Sequence, residues 1–501
     1  MNLESRSSWE SPLTPPRGRA VWRAVPRADA RPRNRRCLDW KTRGAMESSR
    51  RLAKTAELNM RQPMRTARLT ILLLAIISSG ADRAFADQKA AMEALQKIGA
   101  QFQHDTSNSD LPVIGVEISN PATTDADLAR LKEFPHLQSL TVAGKFTDVG
   151  LAHLAGLTEL QTLDLASAKM TDAGLAHLKP LVKLQVLKLH SLKVTDAGMV
   201  HLLPFEGLLT LDLRGCKITD AGLERLKAFK SLTSLALAEN AITDAGLQHL
   251  EGNDALQFLD LTGTKITDAG LDRLKTLTGL QILFVAGTKV SDAAIPKLKE
   301  IPKLQGVDLS TTSVTDKGCA LLKDVDHLLG VNLSNDKITN AGLENLKMID
   351  RIQVLSLYNT KITDAGLTQL EGLAFLRQLR IGDTPITDAG LMHLQKIDTL
   401  QILDLTKTKV GDAGLANLKP LVNLQTLILN STAITDAGLE QLKGMDKLHE
   451  LSLSDNKITD KGLVHLRGLA YLQVLHLEKT KVTDTGVYDL QKSLPNLKIV
   501  R

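Results

Sequence analysis

The residues of this chain that could do chemistry return at fixed intervals. An aspartate recurs every 24 residues at Asp148, Asp172, Asp196, Asp220, Asp244, Asp268, Asp292 and Asp316; Asn340 then stands in once. The series resumes at Asp364, Asp388, Asp412, Asp436, Asp460 and Asp484, and an earlier member, Asp125, precedes Asp148 by 23. A row of carboxylates is the ligand type that hard cations take. One carboxylate per unit at the start of an apolar helical run is instead what capping requires: a Thr or Asp side-chain oxygen satisfies the free N–H groups, and the Asp charge complements the helix dipole. We therefore read the row as helix starts.

A second row, His153, His177, His201, His249, His393 and His465, sits five residues after the aspartate of its unit. Imidazoles in register are metal-ligand chemistry, but a position shared within a short helix reads as outer helix surface. Three cysteines are present, Cys37, Cys216 and Cys319. The last two lie about four units apart, roughly 20 Å at the spacing of stacked strands, too far for a disulfide, so both are expected as buried free thiols. The sequence contains no H-E-x-x-H, G-x-S-x-G, G-x-x-x-x-G-K-[ST] or paired-cysteine motif. No catalytic, cofactor-binding or metal-ligating residue is assigned, and the chain is read as non-enzymatic.

The elements that position these rows follow from one unit, LQTLDLASAKMTDAGLAHLKPLVK from Leu160. Leu163 and Leu165 are two apart, as on the buried face of a strand, whereas Leu175 and Leu178 are three apart, as on one face of a helix. Each unit is strand, turn, helix and return, with Gly174 and its equivalents permitting close packing on the neighbouring unit. A single unit cannot bury its own apolar face, so about sixteen must stack, strands beside strands and helices beside helices. Strands lie about 4.8 Å apart and helices about 8 to 10 Å. The mismatch predicts a horseshoe with parallel strands on the concave side and helices on the convex side.

With L-x-x-L-x-L and I-T-D-A-G-L in register, residues 113–501 resemble the leucine-rich-repeat family, most closely its cysteine-containing subtype, found in exported bacterial repeat proteins and F-box substrate receptors. The resemblance implies an α/β, right-handed leucine-rich-repeat solenoid. The ladder position departs from the subtype: it is mostly Thr (Thr264, Thr288, Thr312, Thr360, Thr384, Thr408, Thr432, Thr480) and Cys only at Cys216. No F-box-like helical segment precedes the repeats, so the substrate-receptor role is not carried over.

In each strand the residues flanking the inward leucines point to the concave face. Asp164, Asp212, Asp260 and Asp308 form a broken acidic stripe there, with Lys188, Ala236 and Phe284 between them; ordinary solvated surface is the plainer reading of it. Phe258, Ile282 and Phe284, and further along Tyr358, Ile402 and Ile428, place apolar groups where water is expected, with Arg214 and Arg380 nearby. Aromatics and Arg in a polar surround have the composition of interface hot spots. Phe258, Asp260, Ile282, Phe284, Asp308, Arg214, Tyr358 and Arg380 are accordingly the candidate partner-binding residues, for a protein or a surface glycan. Self-assembly into envelope or extracellular arrays is the alternative.

The net charge of +6 is uneven: residues 1–86 hold 18 of the 62 Lys and Arg and 7 of the 56 Asp and Glu, leaving 44 against 49, or −5, in the rest. A weakly acidic body predicts no nucleic-acid partner. From Met60, Arg61, Arg65 and Arg68 precede the apolar run Leu69 to Ile77, and Ala84-Phe85-Ala86 follows it. That is the order of a secretory signal, and the run is shorter than the roughly 20 residues a bilayer needs. The reading is therefore a basic, disordered segment at 1–59, upstream of a true start at Met60 or Met64; a signal peptide at 60–86; an N-terminal cap at 87–112, built on a helix over Gln88 to Gln103; and the solenoid at 113–501. It implies export to the periplasm, envelope or exterior, with no stable membrane insertion after cleavage. Leu497 to Arg501 reads as one more strand, blunted by Lys498 and Arg501, through which two copies are expected to pair end to end.

Overall fold

The computed structural model describes residues 86–108, 110–166 and 169–501; the proposed basic segment and nearly all of the proposed signal lie outside the described residues. The repeats belong to one compact unit, Ala94–Arg501.

Residues 86–96 are helical, so the N-terminal helix stops well short of Gln103. The cause is Gly99, at φ +88. Its N–H returns to the Gln96 carbonyl and that of Ala100 to the Leu95 carbonyl, a left-handed C-terminal cap that reverses the chain. Gln101–His104 then runs as a strand, β1, antiparallel to Val113–Ile118, β2. The edge of the first parallel strand is thus covered by another strand.

From β2 onward each strand pairs in parallel with that of the next repeat, through Ser139–Ala143 and Thr162–Ala166 and on to Lys498–Val500, in one sheet of 18 described strands. The register puts like on like: Leu163, Leu187, Leu211, Leu235, Leu259 and Leu283 are successive partners, and all six are fully buried. At about 1.5 to 3 kcal/mol for each fully buried Leu, this between-coil column is the main stabilising term.

The helices are short, because 24 residues must also supply a strand, a turn and a return. A typical unit has one α-turn, Asp172–Leu175, continued as 3₁₀ over Ala176–Leu178. Gly198–Leu202 is 3₁₀ throughout, and the longest described helix of the repeats is Asp484–Ser493. After the strand the chain turns through a left-handed residue in thirteen successive repeats, from Ser191 to Lys479, with φ between 53 and 67; only three of these are glycine.

The recurrent aspartate does more than open a helix. Thr supplies the cap: the Thr147 hydroxyl accepts from the Val149 N–H at 3.3 Å. Asp reaches across to the next repeat, where Asp148 accepts the Thr171 N–H on Oδ1 at 2.8 Å and the Thr171 hydroxyl on Oδ2 at 2.7 Å. The same two-pronged contact recurs from Asp125–Thr147 to Asp460–Thr483. Glycine is favoured beside it, since a Cβ on Gly174 would lie 2.3 Å from Asp148 Oδ1 and 2.9 Å from Leu151 Cδ1; one repeat accommodates Ala294 there.

Two junctions depart from the pattern. Asn340 donates from Nδ2 to the Thr363 hydroxyl while its Oδ1 accepts the Thr363 N–H, and Thr363 makes no side-chain cap. At Gly411 only the backbone N–H reaches Asp388, and the helix Asp412–Leu415 has no side-chain cap. Gly411 has φ −121, which any residue adopts, and a Cβ there would meet nothing nearer than 3.5 Å. Gly411→Thr should therefore supply both the cap and the second prong, raising stability by about 1 to 2 kcal/mol in denaturant unfolding; an unchanged or lowered stability would show that the contact is worth nothing net.

Candidate functional site

The strand face carries two side chains from most three-residue strands. Neighbours at a spacing of about 4.8 Å flank each one on both sides, so groups on this face are less exposed than alternation alone predicts. Phe258–Asp260 and Ile282–Phe284 are adjacent strands, with Phe258 beside Ile282 and Asp260 beside Phe284. The two phenyl rings meet diagonally, edge to face, with centroids 5.2 Å apart and planes at 80°, a favoured arrangement for aromatic pairs. Both rings are half-buried. Ile282, expected in water, is 7% exposed.

The acidic stripe is not the solvated surface that its composition suggested. Asp212, Asp260 and Asp308 are buried, and each turns an oxygen back on the chain two residues ahead. Asp260 Oδ1 accepts the Thr262 N–H at 2.9 Å, and Asp308 Oδ1 accepts the Ser310 N–H at 2.9 Å and its hydroxyl at 2.7 Å. Asp212 accepts the Arg214 N–H and is forked by its guanidinium, Nη2 to Oδ2 at 2.6 Å. Asp164, half-buried, faces Lys188 at 3.2 Å and His190 at 3.8 Å. Burial raises the Asp260 carboxyl above its usual range, against the Thr262 hydrogen bonds and the Arg214 charge, which lower it. Asp212, Asp260 and Asp308 thus close the turn after their strands.

Further along, Arg380 is buried rather than displayed. It lies between Ser356 and Asp404 in the register. With its amide oxygen turned to the guanidinium, Gln378 accepts from Arg380 Nη2 at 2.7 Å and Nε at 2.9 Å. Burial lowers the Arg380 pKa, and Asp404 opposes the shift. Tyr358 is half-buried, as are Ile402 and Ile428. Its ring lies across Gly382, where a Cβ would come within 2.7 Å of Tyr358 Cε2.

Of the eight candidates, Phe258, Phe284, Tyr358 and Arg214 are partly exposed on the face, whereas Asp260, Ile282, Asp308 and Arg380 are built into it. The sequence reading missed Gln378 as the partner of Arg380, and Asn332, which accepts from Ser334 while Ser334 meets Ser356. Polar residues at successive equivalent strand positions were the available signal. It also missed exposed apolar groups away from the strands, Phe375, Met392 and Tyr471 among them. A cleft of about 220 Å³ lies between the last two repeats, lined by Leu463, Val464, Arg467 and Asp489 among others, likewise off the strands.

Elsewhere the thiols are as expected: Cys216 and Cys319 are free and buried. Burial pushes Cys216 up to about 11 and raises Cys319 as well. The histidine row holds no shared ligand geometry: His153 is exposed, and His393 contacts Glu371 at 3.0 Å. Among the described residues no group of three or more His, Cys, Asp or Glu is placed to hold a metal ion.

An open, mostly parallel sheet alternating with short helices in 24-residue coils defines a leucine-rich-repeat solenoid. Two family models, each described as leucine-rich repeat, match the sequence, one at residues 422–482 and the other at 208–227, 230–250, 253–275 and 398–419. Together with the repeat geometry they support the leucine-rich-repeat family. A search of curated proteins gave no match. Among solved structures, the chain is similar to an internalin of Listeria monocytogenes, at 20% identity and TM-score 0.36 over 78% of this chain and 94% of that one. It is similar to a leucine-rich-repeat protein of Leptospira interrogans at 19% identity and TM-score 0.41, over 74% and 92% of the two chains. The ectodomain of the Arabidopsis receptor kinase HAESA, solved with a peptide hormone, matches at 14% identity and TM-score 0.39 over 76% of each chain.

The environment of Tyr358 is measurable. Burial and the nearby Asp383 and Asp404 push its hydroxyl up to about 12. In an ultraviolet pH titration Tyr358 should ionise above the ordinary tyrosine range, and Tyr358→Phe should remove that high-pH step. Loss of an earlier step instead would place the ring in water.

Proposed function

We propose that this chain is a non-enzymatic, exported scaffold that captures a macromolecular partner, a protein or a surface glycan, on its strand face. The observation that carries the reading is the Phe258–Phe284 pair: two half-exposed rings in edge-to-face contact; Arg214, just after the strand Thr210–Asp212, is also half-exposed. Large apolar groups held rigidly in a polar surround are what protein partners anchor on. Tyr358, Ile402 and Ile428 extend the apolar character along the same face.

The non-enzymatic part rests on how the reactive side-chain types are used. The recurrent carboxylates clamp repeats together, the strand-face aspartates close turns, and the thiols are buried. Export rests on Arg61, Arg65 and Arg68, the apolar run from Leu69 to Ile77, and Ala84-Phe85-Ala86; no helix of the described residues is long and apolar enough to cross a membrane. Within the family, the I-T-D-A-G-L pattern and Cys216 at a ladder position favour the cysteine-containing subtype, with Thr replacing Cys elsewhere. The second reading, self-assembly through the sides of the coils, is favoured by the exposed Phe375 and Tyr471, which share one position four repeats apart. It requires concentration-dependent association without any other ligand.

In pull-downs from a native envelope extract, a partner retained by the wild-type chain should be lost with Phe258→Ala/Phe284→Ala while the melting temperature falls by only a few degrees, since the rings are half-exposed. Retention by the variant would remove the strand face from the binding account, and a collapse in melting temperature would make the rings core.

A further inference from the structure

From Cys216 to Thr480, Asp336 apart, the ladder position after each strand is a donor site. At Thr264, Thr288, Thr312, Thr360, Thr384, Thr408, Thr432 and Thr480 the hydroxyl donates to the carbonyl three residues back, at 2.5 to 2.8 Å. Cys216 donates to the Leu189 carbonyl of the previous coil at 3.3 Å. Two asparagines do both. Asn240 Nδ2 donates to the Leu213 and Leu237 carbonyls at 2.8 and 3.0 Å, while its Oδ1 accepts the Ile218 N–H at 2.9 Å. Asn456 Nδ2 donates to Leu429 and Leu453 at 2.7 and 3.0 Å, and its Oδ1 accepts the Thr432 N–H at 3.2 Å.

Asp336 occupies this position with no nitrogen to donate. It is 4% exposed, and its Oδ1 accepts the Thr312 N–H at 2.7 Å, the bond that Asn456 accepts from Thr432. Its Oδ2 is buried and has no hydrogen-bond partner. In the repeat register Oδ2 stands where Asn456 places Nδ2, and the carbonyls there belong to Leu309 and Leu333. An ionised carboxylate would point a bare anionic oxygen at two carbonyl oxygens in a low-dielectric interior, the costliest way to bury such a group. A protonated one has an O–H to donate, as the threonines at this position do.

We propose that Asp336 is a carboxylic acid in the folded chain near neutral pH, its Oδ2–H donating to the Leu309 or Leu333 carbonyl, and that its ionisation is a pH-sensitive weak point between two coils. The groups that face it oppose its charge: Asp308 raises it from the neighbouring strand, and Asp336 in turn raises the Cys319 thiol, which Asp292 and Asp316 also raise. Burial, the largest cause, together with Asp308, puts the Asp336 carboxyl at about 8 against the lowering by Thr312. The folded value is therefore above the unfolded one of about 3.9. Below about pH 4 both states are protonated and nothing is lost. Between about 4 and 8 the unfolded chain ionises and the folded one does not, so local stability falls with rising pH, and beyond about 8 the loss levels off.

The experiment compares the full chain with Asp336→Asn and Asp336→Thr, two donors that the ladder uses elsewhere, by hydrogen exchange of the Thr312 amide. The ratio of wild-type to variant opening constants should rise up to about tenfold per pH unit across that window and then level off. A ratio that stays flat with pH overturns the proposal. Infrared spectra of the wild-type chain give a reading independent of variant folding: a protonated-carboxyl band should persist at pH 6 and vanish above pH 9 and in whichever variant folds. Its absence at pH 6 also overturns the proposal.

Discussion

At all but two of the described junctions, one carboxylate ties a coil to the next by accepting two hydrogen bonds, one from a backbone N–H and one from a hydroxyl. The contact from Asp148 to Thr171 is repeated along the stack, and several other features follow from it. Thr, or Ser at Ser291, precedes Asp because the same hydroxyl donates to the coil before and can cap its own helix. Glycine follows two residues after Asp at most junctions, because the carboxylate of the previous coil crowds the space a Cβ would take; Ala294 is the exception, buried beside an intact Asp268–Ser291 contact. The helix can then be very short, since its start is fixed from outside rather than by its own length, although isolated helical turns of this size are not stable.

The leucine column supplies bulk stability, and the clamp supplies register. Leucines spaced by two would tolerate a slip of coil against coil better than a two-pronged contact does, because burial is non-directional and hydrogen bonds are not. In a stack where each unit touches only its neighbours, stability is a sum of unit and junction terms. Asn340 and Gly411 are thus local weak junctions, and Asp336 makes a third kind of soft spot, also between coils but at the ladder position rather than at the helix starts. Such positions set where the stack opens first.

Much of this was legible in the sequence. The 24-residue period, the strand leucines, the parallel order and the buried thiols follow from spacing alone. The role of Asp was only half legible, because a side chain at a helix start looks like a cap whether it turns inward or reaches 23 residues ahead. The N-terminal helix was overextended because Gly99 was read as part of an amphipathic run rather than as its stop. The left-handed turn residue was hidden because Glu239, Thr311 and Lys407 fill a place where glycine would have announced it. On the strand face, alternation gave the direction of each side chain but not its exposure: Asp260, Ile282, Asp308 and Arg380 point as expected and are nonetheless buried.

The direct test is a double-mutant cycle across one junction, Asp244→Ala with Thr267→Val, run beside a control cycle that pairs Asp244→Ala with the distant Thr435→Val. The clamp predicts a coupling of about 1 to 2 kcal/mol for the adjacent pair and none for the distant one. Additivity in both cycles would mean that the coils are held in register by apolar burial alone, contradicting the account.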